Sequence, residues 1–234
     1  MTTKAVFIDW FNTLARHDPP SELLQMAACR TYGIEVDPQL VRAGIAEADR
    51  YFYEENVRSR VDKRLPNEQV EFYTRYEDII LKRAGVGIPQ GMALPIWMKV
   101  RDMSRGSNFV LFEDVAEALA QLKKRSIVTA LISNLPQDMK PMLTQLGLIT
   151  ALDYVVSPKE AGAEKPDPRI FQYALALAKV EPSEAVHVGD QYHVDVVGAR
   201  NAGIMPILLD RFDIHPEADC IRIRSLLELV AVLP

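Results

Sequence analysis

From about residue 108 onward, short apolar runs rich in β-formers alternate with stretches of helical periodicity. SIVTALIS, LDYVVS, AVHVGD, MPILLD and CIRIR read as strands. EDVAEALAQLKKR, PQDMKPMLTQLG, DPRIFQYALALAKV, HVDVVGARNAG and SLLELVAVL read as helices. Repeated strand–helix units leave few choices: a parallel sheet, buried on both faces by its helices. One more strand of this texture, KAVFID, stands alone at residues 4–9. Between it and the alternating region, residues 20 to 105 are helical in pattern with no convincing strand. SELLQMAACRTYG opens on a serine suited to an N-cap and closes on glycine. DPQLVRAGIAEADRYFYEENVRSR has Asp37 as cap and Pro38 at the first helical position. LPNEQVEFYTRYEDIILKRAGVG continues the style, and PQGMALPIWMKVRDMSRGSN is a weaker helix with an internal proline. The expected architecture is α/β: a Rossmann-like parallel sheet flanked by helices, built from residues 1–16 and 106–234, with an inserted α-helical domain at 17–105.

Composition supports a folded core, with 48% hydrophobic and 25% charged residues among 234. A net charge of −5 argues against nucleic-acid partners and anionic membrane surfaces. The two cysteines, Cys29 and Cys220, are far apart and lack metal-site spacing, which fits reduced thiols. The N-terminus lacks the apolar segment of a signal peptide, and no apolar run reaches membrane-spanning length. Together these point to the cytoplasm. No sequence feature speaks to an oligomeric state.

In a parallel sheet of this type, ligands bind beyond the carboxyl ends of the strands. Four places there carry polar residues. VFID ends at Asp9, with Thr13 four residues on; SIVTALI ends at Ser133 and Asn134; AVHVG ends at Asp190, with Asp195 five residues further. Lys165 stands at a helix entrance in AGAEKPDPRIF. Singly, each is ordinary at a turn or helix cap. Collected in one crevice, two strand-tip acids, a lysine and a hydroxyl suit phosphoryl transfer. A carboxylate nucleophile would form an aspartyl-phosphate, and a magnesium ion held by carboxylates would offset its repulsion from the phosphate. The substrate expected is a small phosphorylated molecule.

In order and wording, FIDWFNTL, ALISN, EKPDPRIF and HVGDQYHVDVVGARNAG resemble the four motifs of the haloacid dehalogenase-like hydrolase superfamily, in the subclass with a helical cap after the first motif. The resemblance implies Asp9 as the nucleophile. It implies Asp190 and Asp195 at the magnesium site, completed by the carbonyl of Phe11. Ser133, Lys165 and Asn134 would bind phosphate, Lys165 would also steady Asp9, and Thr13 would support the nucleophile loop.

One position departs from that pattern. Phosphatases of the superfamily carry a second aspartate two residues after the nucleophile, to protonate the leaving group and activate water. Here that residue is Phe11. Asn12, in place of the usual glycine, is a mild change because Asn tolerates a left-handed backbone. Phe11 leaves three readings: a phosphatase for good leaving groups or with a substitute acid such as His17 or Asp18, a dehalogenase whose halide departs without a proton, or a non-enzymatic binding protein. The retained acids, which need a metal to justify them, favour the phosphatase. In the insert, the aromatics of DRYFYEEN and the stripe Phe72, Tyr73 and Tyr76 read as packing, and Arg58, Arg60 and Arg64 as a solvated face.

Overall fold

The computed structural model describes residues 2–234 except 88, 90, 106, 136 and 137, and of Val57 the backbone alone. It divides into two compact units, Met1–Arg16 with Val110–Pro234 and His17–Phe109.

The first unit is built on a parallel sheet of six strands in the order β5–β4–β1–β6–β7–β8. The strands are β1 (Ala5–Ile8), β4 (Val128–Ile132), β5 (Tyr154–Val156), β6 (Ala185–Gly189), β7 (Met205–Leu209) and β8 (Ile221–Ile223). Every residue of β1 is buried, as a strand covered on both faces requires. Ala5 and Phe7 share one apolar cluster with Ala130, Ile132, Val156 and Ala185. Ile170, Phe171, Ala174 and Leu175 of one helix and Ala199 of another cover that cluster. Those two helices are α8 (Pro168–Ala178) and α9 (Val197–Asn201). Helix α5 (Val115–Lys124) buries Val115, Ala118, Leu119 and Leu122, three and four residues apart, as an amphipathic surface helix should. The remaining helices of this unit are short: α6 (Lys140–Gln145), α7 (Pro158–Ala161) and α10 (Leu229–Val232).

The second unit is helical: α1 (Ser21–Arg30), α2 (Pro38–Arg58), α3 (Pro66–Arg83) and α4 (Ala93–Ser104). Asp37 caps α2, accepting hydrogen bonds from the Gln39 and Leu40 amides. Ser21 does not cap α1; Pro20 holds that position and the serine lies inside the first turn. Proline fixes the extended backbone that a cap needs, which moves the start back by one residue. Tyr51 stacks on the buried Phe72 at 5.1 Å between ring centroids, and Tyr73 stacks on Trp97 at 4.0 Å. Arg58 and Arg64 pair with Glu55, and Arg60 with Asp62.

Two strands escaped the sequence pattern. Ala15–Asp18 (β2) and Asn108–Leu111 (β3) pair with each other where the chain leaves and rejoins the sheet unit. ARHD is too short and polar to show period-two alternation, and pairing alone makes it a strand. The expected return to the core at residue 106 and the first two residues of the helix expected from Pro136 lie outside the described residues, and the helix expected from Pro89 begins at Ala93.

Candidate active site

The three central strands are β4, β1 and β6. Their register sets Ile8 opposite both Leu131 and Val188. Asp9, Ser133 and Asp190 therefore follow neighbouring strand ends, roughly 4.8 Å apart per strand. The Asp9 amide continues the ladder by donating to the Val188 carbonyl at 2.9 Å. Beyond it the chain folds into a tight turn, in which the Leu14 and Ala15 amides both donate to the Trp10 carbonyl. Asn12 sits in that turn at φ +56°, the left-handed conformation its side chain tolerates.

Lys165 enters from the loop before α8. Its Nζ donates to Asp9 Oδ1 at 2.5 Å and to Asp195 Oδ1 at 2.6 Å, and the lysine is only 3% exposed. Asn134 places it: the Asn134 carboxamide donates to the Lys165 carbonyl at 2.8 Å and accepts from the Lys165 amide at 2.7 Å. Both polar ends of that side chain are thereby used on backbone. Ser133 is buried, and its Oγ accepts from the Leu135 amide at 3.1 Å, so its own proton stays available to donate. Thr13 is fully buried; its carbonyl accepts from Arg211, and its hydroxyl has no partner among the described residues.

Asp195 lies on the π-helical turn Tyr192–Val196 after β6 and is 1% exposed. Its Oδ1 takes Lys165 and, at 2.9 Å, His187 Nε2; its Oδ2 takes the Gln191 amide at 3.0 Å. It can tuck back this far because residue 189 is glycine. A Cβ there would overlap the Asp195 carboxylate and lie 2.7 Å from its Cβ. His187 was not anticipated. It sits in the middle of β6, fully buried, edge-on to Phe171 at 5.0 Å. One signal was present: a polar residue inside the apolar run AVHVG.

Electrostatics follow from this packing. Burial pushes Asp9 up to about 6; Lys165 pulls the other way, and the charge of Asp195 adds to the rise. Burial also resists the charges of Asp195 and Lys165, but their mutual attraction outweighs it. Asp195 is held well below the ordinary carboxylate range, and Lys165 above the ordinary amine range. Burial lowers His187, so its ring is neutral at pH 7 and the nitrogen facing the ionised Asp195 carries the proton.

Asp9, Asp190 and Asp195 each offer a carboxylate oxygen, and these oxygens lie within 4.8 Å of one another. An all-oxygen, acidic donor set of this kind fits magnesium, which keeps several waters and needs few protein ligands. His17 and Asp18 belong to the helical unit, where His17 stacks on Phe109 with centroids 4.8 Å apart.

The model of the haloacid dehalogenase-like hydrolase family matches residues 3–203. The chain belongs to the haloacid dehalogenase-like hydrolases. It is 31% identical over 201 residues to the human haloacid dehalogenase-like hydrolase domain-containing protein 3, covering 85% of this chain and 78% of that protein. It is 30% identical over 151 residues to a glyceraldehyde 3-phosphate phosphatase of Methanopyrus kandleri, covering 63% and 64% of the two chains. The fold is shared with a HAD-hydrolase of Bacillus subtilis bound to magnesium, at a TM-score of 0.63 and 16% identity, over 100% and 99% of the chains. This haloacid dehalogenase-like hydrolase has no helix, among its described residues, long and apolar enough to cross a membrane.

Proposed function

We propose that this hydrolase is a magnesium-dependent phosphatase that acts on a small phosphorylated molecule through an aspartyl-phosphate. The observation that carries the proposal is Asp9. It stands at a strand tip, bonded to a buried lysine, with its carboxylate within 4.8 Å of two further acids. A halide-displacing aspartate would gain nothing from Asp190 beside it, whereas attack on a phosphate dianion needs a cation there.

Asp9 and Asp190 would hold the magnesium together with the Phe11 carbonyl. When bound, the ion supplies Lewis-acid neutralisation of the phosphate charge. Asp195 already accepts three hydrogen bonds, so we assign it to fixing Lys165 and the loop around it. An ammonium has three N–H donors. Lys165 spends two on Asp9 and Asp195, which leaves one for a phosphate oxygen. The Ser133 hydroxyl donates to another. Asp9 attacks phosphorus, the bond to the leaving oxygen breaks, and water then displaces Asp9 from the phosphoryl group. Phe11 can neither protonate the leaving oxygen nor activate that water. The substrates best served have leaving oxygens of low basicity, such as aryl, enol or acyl phosphates.

Phe11 also favours a second reading, dehalogenation of 2-haloacids, because halide needs no proton. One set of assays separates the two: p-nitrophenyl phosphate and 2-chloropropionate, each with magnesium and with EDTA, on wild type and Asp9→Asn. Magnesium-dependent release of p-nitrophenol that Asp9→Asn abolishes is the expected result. Halide release that survives EDTA, with no phosphatase turnover, overturns it.

A further inference from the structure

The turn that follows Asp9 is braced from outside the four motifs. Arg211 follows β7, far along the chain from the nucleophile. Its guanidinium grips Asp114 with both ends, Nη1 to Oδ2 at 2.8 Å and Nη2 to Oδ1 at 2.9 Å. The same Nη2 donates to the Thr13 carbonyl at 2.9 Å. The guanidinium carbon lies 4.0 Å from the centre of the Phe112 ring, and both charged side chains are about nine-tenths buried. Asp114 is itself pinned, accepting from Ser225 Oγ at 2.7 Å and from the Leu226 amide at 2.8 Å. The backbone leading to Arg211 is equally fixed. The Asp210 amide donates to Ile223, and the Asp210 carboxylate accepts from the Ile214 and His215 amides and from Arg222.

Arg211 is thus anchored on a carboxylate that is itself pinned, and it holds the Thr13 carbonyl in turn. The turn from Trp10 to Ala15 is closed internally by three amide bonds: Leu14 and Ala15 to Trp10, and Asn12 to Ala15. It therefore moves as a piece, with the Thr13 carbonyl as its grip. The Phe112 amide takes the next carbonyl, that of Leu14, at 3.1 Å. Arg211 and Phe112, stacked on each other, present two adjacent donors to two adjacent carbonyls four and five residues after Asp9.

We propose that Arg211 is a positioning residue for the nucleophile: with Asp114 and Phe112 it fixes the turn that aims the Asp9 carboxylate. The proposal rests on Asp9 being the nucleophile. A guanidinium is required, because only its planar fork can hold a carboxylate at two points and a carbonyl at a third. Lysine at 211 keeps the charge but cannot make all three bonds.

The test compares Arg211→Lys, Arg211→Ala and Asp114→Asn with wild type in two measurements. The first is kcat and KM for p-nitrophenyl phosphate with magnesium, with and without added guanidinium ion. The second is hydrogen exchange at the Asn12, Leu14 and Ala15 amides, against the Asp9 and Val128 amides as internal reference. Misplacing a reacting group by about 1 Å costs on the order of 10²-fold in rate. The expected result is a fall in kcat approaching that size with KM unchanged, partial recovery of Arg211→Ala by guanidinium, and faster exchange confined to the turn. A lower melting temperature with kcat per folded molecule and turn exchange both unchanged would make Arg211 a plain buried ion pair and overturn the proposal. Should Arg211→Ala not fold, Arg211→Lys decides. Should wild type show no turnover, the phosphatase assignment falls, and the exchange measurement decides the brace alone.

Discussion

Replacing Gly189 by alanine adds a single methyl group, and the structure specifies what that methyl meets. It would overlap the carboxylate of Asp195, whose Cβ would lie 2.7 Å away. The neighbour is no flexible tip. It is a 1% exposed side chain fixed by Lys165, His187 and the Gln191 amide, on a turn that leads straight into α9. Something must shift, and the carboxylate is the atom group in the way. Once it shifts, the buried Lys165 keeps only Asp9 as a counter-charge. Removing one partner of a buried ion pair costs about 3–5 kcal/mol. Because Asp9 remains, the lower end applies, about 3 kcal/mol. That is a large part of the roughly 5–15 kcal/mol that holds a typical protein together. Turnover should fall further than stability, since Lys165 would no longer be held against Asp9. Urea unfolding followed by circular dichroism, with kcat for p-nitrophenyl phosphate, measures both. Gly87→Ala is the control: its Cβ would have nothing within 4 Å, so a change within about 0.5 kcal/mol is expected. Wild-type stability and turnover in Gly189→Ala would refute the claim that Asp195 is locked behind this glycine.

Three further outcomes follow from the same geometry. Phe11→Asp should restore general acid catalysis and raise turnover of alkyl phosphates relative to p-nitrophenyl phosphate, by up to about 10²-fold; an unchanged ratio of the two rates counts against it. Asn134→Ala removes two hydrogen bonds to the Lys165 backbone and should destabilise the protein by about 2 kcal/mol while lowering kcat, measured by unfolding and steady-state kinetics. In the helical unit, burial pushes Glu77 up from its ordinary 4.5 to about 7, although Gln25 donates a hydrogen bond to it. Between those values the folded protein holds a proton that the unfolded chain has lost, so wild-type stability falls as pH rises and the full loss is present above pH 7. At about 1.4 kcal/mol per pH unit the gap is about 3 kcal/mol, so Glu77→Gln should gain that much on wild type between pH 4.5 and 8 in urea unfolding. A difference that does not vary with pH would contradict the burial argument.

What the sequence disclosed and what it hid divide along physical lines. The strands that form the sheet centre were legible because they are apolar runs buried on both faces, and the residues just past their ends are Asp9, Ser133 and Asp190. Lys165 and Asp195 were legible through motif order. The two hydrogen bonds between the Asn134 side chain and the Lys165 backbone were not, because they depend on a loop 31 residues away. His187 looked like an apolar-strand position, and only the fold brings Asp195 back to meet it. Arg211 and Thr13 are 198 residues apart, and no local pattern links them. Ser21 failed as a cap because Pro20 already had the required backbone. β2 failed because a polar four-residue strand carries no periodicity of its own.

The most direct test is to trap the covalent species. The enzyme would be mixed with a rapidly reacting aryl or acyl phosphate and magnesium, quenched in acid, digested and read by mass spectrometry. The expected result is one phosphoryl group on the peptide that contains Asp9, lost on borohydride reduction with conversion of Asp9 to homoserine, and absent when EDTA replaces magnesium. Phosphate release during turnover with no phosphoryl group on that peptide, or with the group on another residue, would contradict the assignment of Asp9 as nucleophile.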